Sequence, residues 1–231
     1  IRTSKEADVM EFARKYGIEK IVFSSSLAIV YDLVEGNRRL KPLIDMHANF
    51  YGYVVLNPNY PELSEMMIEE CFLDKKFVGV KIHPDYTGQL VSSETNIHLL
   101  ELARKKRRIV LLHSWGEPGV KASSVVADTF PDLVVIMAHM GGDGLSGQGW
   151  KAAIHAAKTR NNVYLEICGS ELHRDRIREA VEGLGYERIL YGSDMTLITP
   201  DFAIGMVQEA EIPDEAKEAI FYHNAQKLFG F

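Results

Sequence analysis

Seven short aliphatic or β-branched runs recur along the chain, each with turn residues close behind and a helical pattern after it. They are Lys20–Ser26, Tyr51–Pro58, Phe77–Pro84, Arg108–Trp115, Leu133–Gly142, Asn162–Cys168 and Arg188–Met195. Runs this short and apolar read as buried strands. Between them Pro61–Leu73, Ser93–Arg104, Val120–Phe130, Gly149–Thr159 and Glu171–Gly183 carry apolar residues at helical spacing. In Ser93–Arg104, for example, Ile97, Leu100 and Ala103 share one face. A strand–helix unit roughly every 30 residues is the spacing of βαβ units with parallel strands.

A sheet of this kind closes with eight strands, and seven are countable. Thr3–Tyr16 already reads as a helix ending at Gly17, a favourable residue just past a helix end. A strand is therefore expected before Ile1, and the chain has no initiator Met, so a preceding segment is expected as well. The predicted fold is an α/β (β/α)8 TIM-type barrel whose first strand is missing from this chain, with residues 1–231 as a single domain. The length suits one such barrel better than two small domains.

Charge and composition narrow the partners. No apolar run approaches the roughly 20 residues needed to span a bilayer, and no secretory signal opens the chain. Cys71 and Cys168 lie far apart in apolar segments and read as buried thiols in a reducing compartment, which points to the cytoplasm. The net charge of −6 is spread without blocks, whereas nucleic-acid binding needs a clustered basic face. The one basic run, Arg104–Arg108, closes a helix where cations favour the dipole. A small-molecule substrate is expected, with no nucleic acid and no membrane; a homo-oligomer is left open.

Parallel barrels carry their catalytic groups at the C-terminal ends of the strands. Counting the absent strand as first, the fourth strand ends in Lys81 and His83, the fifth in His113, the sixth in His139 and the last in Asp194. Side chains alternate along a strand, so Ile109, Leu111 and His113 share a face, as do Val135, Met137 and His139, and Leu190, Gly192 and Asp194. If those faces point inward, His113, His139 and Asp194 converge at the barrel mouth. Imidazole and carboxylate are the usual ligands of zinc and similar ions, and a bound water there becomes a nucleophile near neutral pH. Among these residues, a single His at a strand end is more often a hydrogen-bonded structural group than a ligand, and Asp194 alone could simply be a cap. Three of them at three independent strand ends carry the functional reading. His98, His155, His173 and His223 lie in or near helices and read as ordinary. Ile44–Asn49 looks like a degraded D-x-H-x-H motif, but a helix continues over Asn37–Met46, so His47 reads as a loop residue.

With these residues in place the sequence resembles the amidohydrolase superfamily. Within it, the likeness is to the amidohydrolase-2 group, which includes decarboxylases related to aminocarboxymuconate-semialdehyde decarboxylase. The matching stretches are Gly79–Pro84 (GVKIHP), Val110–His113 (VLLH), Met137–Gly142 (MAHMGG), Ile189–Asp194 (ILYGSD) and Asn224–Gly230 (NAQKLFG), in the family's order. The resemblance implies a metal-binding role for His113. It implies a metal-supporting or catalytic role for His139, and contact of Asp194 with the metal or the attacking water. Lys81 matches a position where some relatives carry a carboxylated lysine between two metals; Lys81 and His83 alternatively hold an anionic group of the substrate. The departure is the family's first-strand H-x-H pair, which this sequence does not contain.

The function expected is a metal-dependent hydrolase acting on an amide, ester or lactone-like bond. A divalent ion, zinc first, is bound by His113, His139 and Asp194, and Asp194 with His139 does the general acid–base work. The alternatives are a metal-dependent decarboxylase on the same site, a Schiff-base enzyme using Lys81, and a non-catalytic barrel. Trp115, Trp150 and Tyr86 fall in loops that can line a pocket, Trp115 foremost as a substrate contact. Gly141–Gly149 reads either as a mobile cover for the site or as a plain connection.

Overall fold

The computed structural model describes residues 6–143, 147–169, 174–195 and 197–231. The chain forms two compact units, Ile1–Leu111 and Leu112–Phe231, and the boundary falls inside a strand.

The first unit holds α1 (Glu6–Tyr16), β1 (Ile21–Phe23), α2 (Ser26–Val30), α3 (Leu33–Met46), β2 (Phe50–Val55), α4 (Pro61–Cys71), β3 (Phe77–Ile82), α5 (Pro84–Thr87), α6 (Glu94–Arg104) and the start of β4 (Ile109–His113). Polar residues set the helix starts. Asp32 accepts from the Glu35 amide at 2.9 Å to cap α3, and Ser93 stands at the cap of α6. Gly17 adopts φ 66° after α1, as expected of a C-terminal cap. β2 lies parallel to both β1 and β3. Phe50, Phe77 and Ile44 are fully buried around it. Gly79 is obligatory, because a Cβ there would lie 2.5 Å from the Ile109 carbonyl oxygen. Asn37, fully buried on α3, fixes that helix to the sheet. Its amide donates to the Leu33 and Val55 carbonyls at 3.0 Å each, and its oxygen accepts from the Val55 amide at 2.9 Å.

The second unit continues with the end of β4, then α7 (Gly116–Thr129), β5 (Val134–Ala138), a 3-10 turn (His139–Gly141), α8 (Gly149–Thr159), β6 (Val163–Ile167), α9 (Arg174–Leu184) and β7 (Ile189–Tyr191). After these come α10 (Pro200–Glu209), α11 (Asp214–Glu218), a π turn (Ala219–His223) and α12 (Asn224–Phe229). β6 lies parallel to β5 and β7. Val163, Leu165 and Ile167 are completely buried, while Tyr164 and Glu166 on the alternate face are only partly so. The N-terminal ends of these strands are closed by side chains that satisfy helix-end and loop carbonyls. Asn162 donates to the carbonyls of Ala127, Phe130 and Leu133, and Arg188 to those of Ala157, Arg160 and Val163. Asn224 of α12 reaches the Tyr186 and Ile189 carbonyls, at 2.6 and 2.8 Å. Chemistry-bearing residues gather at the opposite, C-terminal ends.

Strand order follows chain order from β1 to β7. This is the (β/α)8 barrel architecture with one strand missing. All seven anticipated strands are present but shorter than their apolar runs. β5 stops at Ala138, where the chain turns into left-handed backbone at His139, and β7 stops at Tyr191, three residues before the left-handed Asp194. α7 starts at Gly116, four residues before the periodic stretch, since Gly116-Glu117-Pro118 forms its first turn. The expected helix Glu171–Gly183 is found as α9; Glu171–His173 lie outside the described residues, as do Thr3–Lys5. The strand–helix rhythm did not anticipate α10 to α12. Among the described residues no helix is long and apolar enough to cross a membrane.

Candidate active site

Two imidazoles form the centre of the second unit's C-terminal face. Nε2 of His139 lies 2.9 Å from Nδ1 of His113, with the rings 4.6 Å apart and edge to face. Each residue is only 8% exposed. His113 is the last residue of β4. His139 is the first residue after β5, at φ 63°, so backbone strain and not strand alternation aims it. The only non-glycine residues with positive φ among the described ones are His139, Met140 and Asp194. Each such conformation costs on the order of 1–3 kcal/mol and persists where the surroundings enforce it, often at functional sites. Two of these three positions are residues singled out from sequence.

Trp115 covers the pair. Its ring stacks nearly parallel to His113 at 5.7 Å and edge-on to His139 at 5.5 Å, while the residue remains 37% exposed. A flat, partly exposed indole thus lies against both imidazoles. Trp115 is held where α7 begins, and Gly116 donates its amide to the Gly142 carbonyl at 3.1 Å. On the glycine-rich segment, Asp143 accepts from the Gln148 and Gly149 amides, at 3.1 and 3.0 Å, and so closes the start of α8. The segment expected as a mobile cover is therefore anchored at both edges, and residues 144–146 lie outside the described ones.

Behind the imidazoles stands a pair that the sequence reading did not place in the site. Cys168 donates its thiol to Oε2 of Glu166 at 2.8 Å, and its sulfur lies 3.1 Å from Nδ1 of His139. Burial, and next the negative charges of Glu166 and Asp194, push this thiol well above the ordinary cysteine range. Asp194, three residues beyond β7 at φ 54°, thus acts electrostatically on the sulfur that contacts His139. Two glycines make room for this group. A Cβ at Gly169 (φ 92°) would lie 2.9 Å from Nδ1 of His139, and one at Gly192 would overlap the Glu166 carboxylate. A carboxylate interrupting the apolar strand Val163–Ile167 was the available signal for Glu166. The thiol was legible only as buried, which it is; Cys71 is likewise buried and free, its thiol raised to about 12 by burial.

The structure therefore brings together His113, His139 and Trp115, with Asp194 acting on their thiol neighbour. Lys81 and His83 belong to the first unit. Lys81 is 6% exposed near the end of β3, and His83 caps α5 with its ring 4.7 Å from Tyr86. The histidines read as ordinary behave so where described: His98 is exposed and paired with Glu65 at 3.0 Å, and His47 follows the end of α3.

Residues 33–231 match the model of the Amidohydrolase family. A gamma-resorcylate decarboxylase of Polaromonas sp. (strain JS666 / ATCC BAA-500) is 22% identical over 276 residues, covering 93% of this chain and 84% of that protein. A 2,6-dihydroxybenzoate decarboxylase from Rhizobium superposes with a TM-score of 0.76 at 16% identity, covering 98% of this chain and 88% of that one. The dihydroxybenzoic acid decarboxylase of Polaromonas sp. JS666, solved with manganese and the inhibitor 2-nitroresorcinol, superposes with a TM-score of 0.75 at 18% identity, covering 98% and 86%.

Proposed function

Starting from the premise that the chain belongs to the amidohydrolase family, we propose that it is a metal-dependent decarboxylase of hydroxylated aromatic acids. The observation that carries this reading is the pair of facing imidazole nitrogens, 2.9 Å apart beneath the Trp115 ring. Three of the similar proteins are decarboxylases of resorcylate or dihydroxybenzoate, which favours loss of CO2 over the hydrolysis expected from sequence.

The donor set fits a divalent ion. Imidazole nitrogen and carboxylate oxygen are ligands shared by zinc and manganese, and the His113 imidazole already stands buried at the end of β4. His139 has its other nitrogen engaged by Cys168, the kind of outer contact that orients histidines around a metal. We assign His113 and Asp194 to hold the ion. The manganese of the Polaromonas structure makes Mn²⁺ the first ion to test and Zn²⁺ the second. Held there, the ion would supply a Lewis acid for an anionic aromatic substrate.

The chain's own residues do the rest. The exposed face of Trp115 offers a stacking surface for an aromatic acid and keeps water from the nitrogens below. His139 holds the working proton at Nε2, the nitrogen that faces His113. It gives that proton to the ring carbon bearing the carboxylate. The bond between that carbon and the carboxylate then breaks, its electrons return to the ring, and CO2 leaves. His139 regains a proton from solvent, so each turnover consumes one proton and one carboxylate and yields one arene and one CO2.

The test is incubation of the full chain, loaded with Mn²⁺ or Zn²⁺, with 2,6-dihydroxybenzoate and related hydroxybenzoates. The expected result is metal-dependent CO2 release with stoichiometric decarboxylated arene. Turnover of esters, amides or lactones with no CO2 from any aromatic acid would overturn the assignment in favour of hydrolysis.

A further inference from the structure

We infer that Glu166 and Cys168 act together as positioning residues that keep the ring hydrogen of His139 on Nδ1 and so fix the orientation of its imidazole. The direction follows from the donors and acceptors. The Glu166 carboxylate accepts the thiol proton at 2.8 Å, and a thiol has only one proton to give. In the second contact, at 3.1 Å, the sulfur must accept, so Nδ1 of His139 is the donor and carries the hydrogen. In the neutral ring Nε2 is then bare and faces His113.

The surroundings keep the chain of contacts in register. Glu166 and Cys168 sit two residues apart and share one face, Glu166 on β6 and Cys168 just beyond its end. Gly192 leaves space for the Glu166 carboxylate, and Gly169, at φ 92°, leaves space beside Nδ1 of His139. Cys168 itself is 5% exposed, so water does not compete for the imidazole N–H.

The consequence for turnover rests on His139 being the proton carrier; the tautomer does not. The experiment is ¹⁵N-histidine NMR on the full chain, metal-free and loaded with diamagnetic Zn²⁺, with His139 assigned by its loss in His139→Asn. The wild-type ring is expected with hydrogen on Nδ1 in both states. Cys168→Ala should release it to a mixture of tautomers, and Cys168→Ser should restore Nδ1–H. kcat should fall roughly 10- to 100-fold in Cys168→Ala with KM little changed, and recover in the serine variant. Glu166→Gln, which lets the side chain donate to sulfur, should weaken the preference partway. A wild-type spectrum with hydrogen on Nε2 overturns the inference without any variant. So does an unchanged Nδ1–H signal in a folded Cys168→Ala protein. Nδ1–H in a protein that releases no CO2 would leave the tautomer assignment standing and remove the decarboxylase reading alone.

Discussion

Gly169 presents a bare α-carbon to the imidazole of His139, and a Cβ at that position would lie 2.9 Å from Nδ1. The same residue has φ 92°, a conformation that side-chain-bearing residues rarely adopt. Gly169→Ala therefore meets two penalties at once, backbone strain of about 1–3 kcal/mol and displacement of the ring. Thermal unfolding is expected to drop by several degrees, and turnover of the folded fraction should fall as well. A variant with wild-type melting and wild-type turnover would show that the ring has room to move.

On the proposed assignment, metal retention and proton transfer should separate at the two imidazoles. His113→Ala should lose the bound ion, measured by mass spectrometry of metal per chain after desalting. His139→Asn should keep it and lose roughly 10²–10⁴-fold in turnover, the usual worth of a general acid or base. Chelation should silence the wild type, and Mn²⁺ should restore it. Equal metal loss in both variants would make His139 a ligand, and the proton would have to come from Asp194.

The repeating strand–helix rhythm made the barrel legible, because burial of parallel strands on both faces leaves uninterrupted apolar runs that sequence displays openly. His113 was legible for the same reason, as a costly residue at the end of such a run. His139 and Asp194 were singled out by strand alternation, and the structure places them differently. Alternation along a strand cannot place them, since β5 and β7 end before them and left-handed backbone sets their direction. The glycines and the Glu166–Cys168 pair were hidden because their meaning is relational. A glycine in a chain does not announce which carboxylate or imidazole occupies the space it leaves.

Acid sensitivity of the second unit should trace partly to Asp128. Its carboxylate receives a two-pronged contact from Arg160, at 2.7 and 2.9 Å, and the hydrogen bond from that guanidinium holds it below the usual carboxylate range. A group depressed in the folded state contributes stability above its unfolded pKa, about 3.9 for Asp, and loses it as pH falls through the folded value. Both side chains are partly exposed, so the contribution is about 0.5–1 kcal/mol. Asp128→Asn should be less stable than wild type by that amount at neutral pH, and the two should converge in acid denaturation below about pH 3. A difference that persists undiminished in acid would assign the effect to packing.

Asn37 offers a sharper test of what holds α3 to the sheet. It is fully buried and makes three hydrogen bonds to backbone, two of them with Val55. Replacement by Ala leaves the Val55 amide and carbonyl without these bonds in a region closed to water. Each buried polar group so stranded costs about 1–3 kcal/mol, and the truncated side chain adds a small cavity. Asn37→Ala should therefore lose about 3 kcal/mol in urea unfolding, more than Asp128→Asn despite changing no charge. Asn37→Asp keeps the acceptor for the Val55 amide but, when ionised, sets a carboxylate against the Leu33 and Val55 carbonyls. It should be at least as damaging at neutral pH and partly recover as the acid protonates and becomes a donor. If both variants unfold at the wild-type urea midpoint, the three bonds are not what fixes the helix, and the apolar contacts of Leu40 and Ile44 on the same helix must suffice.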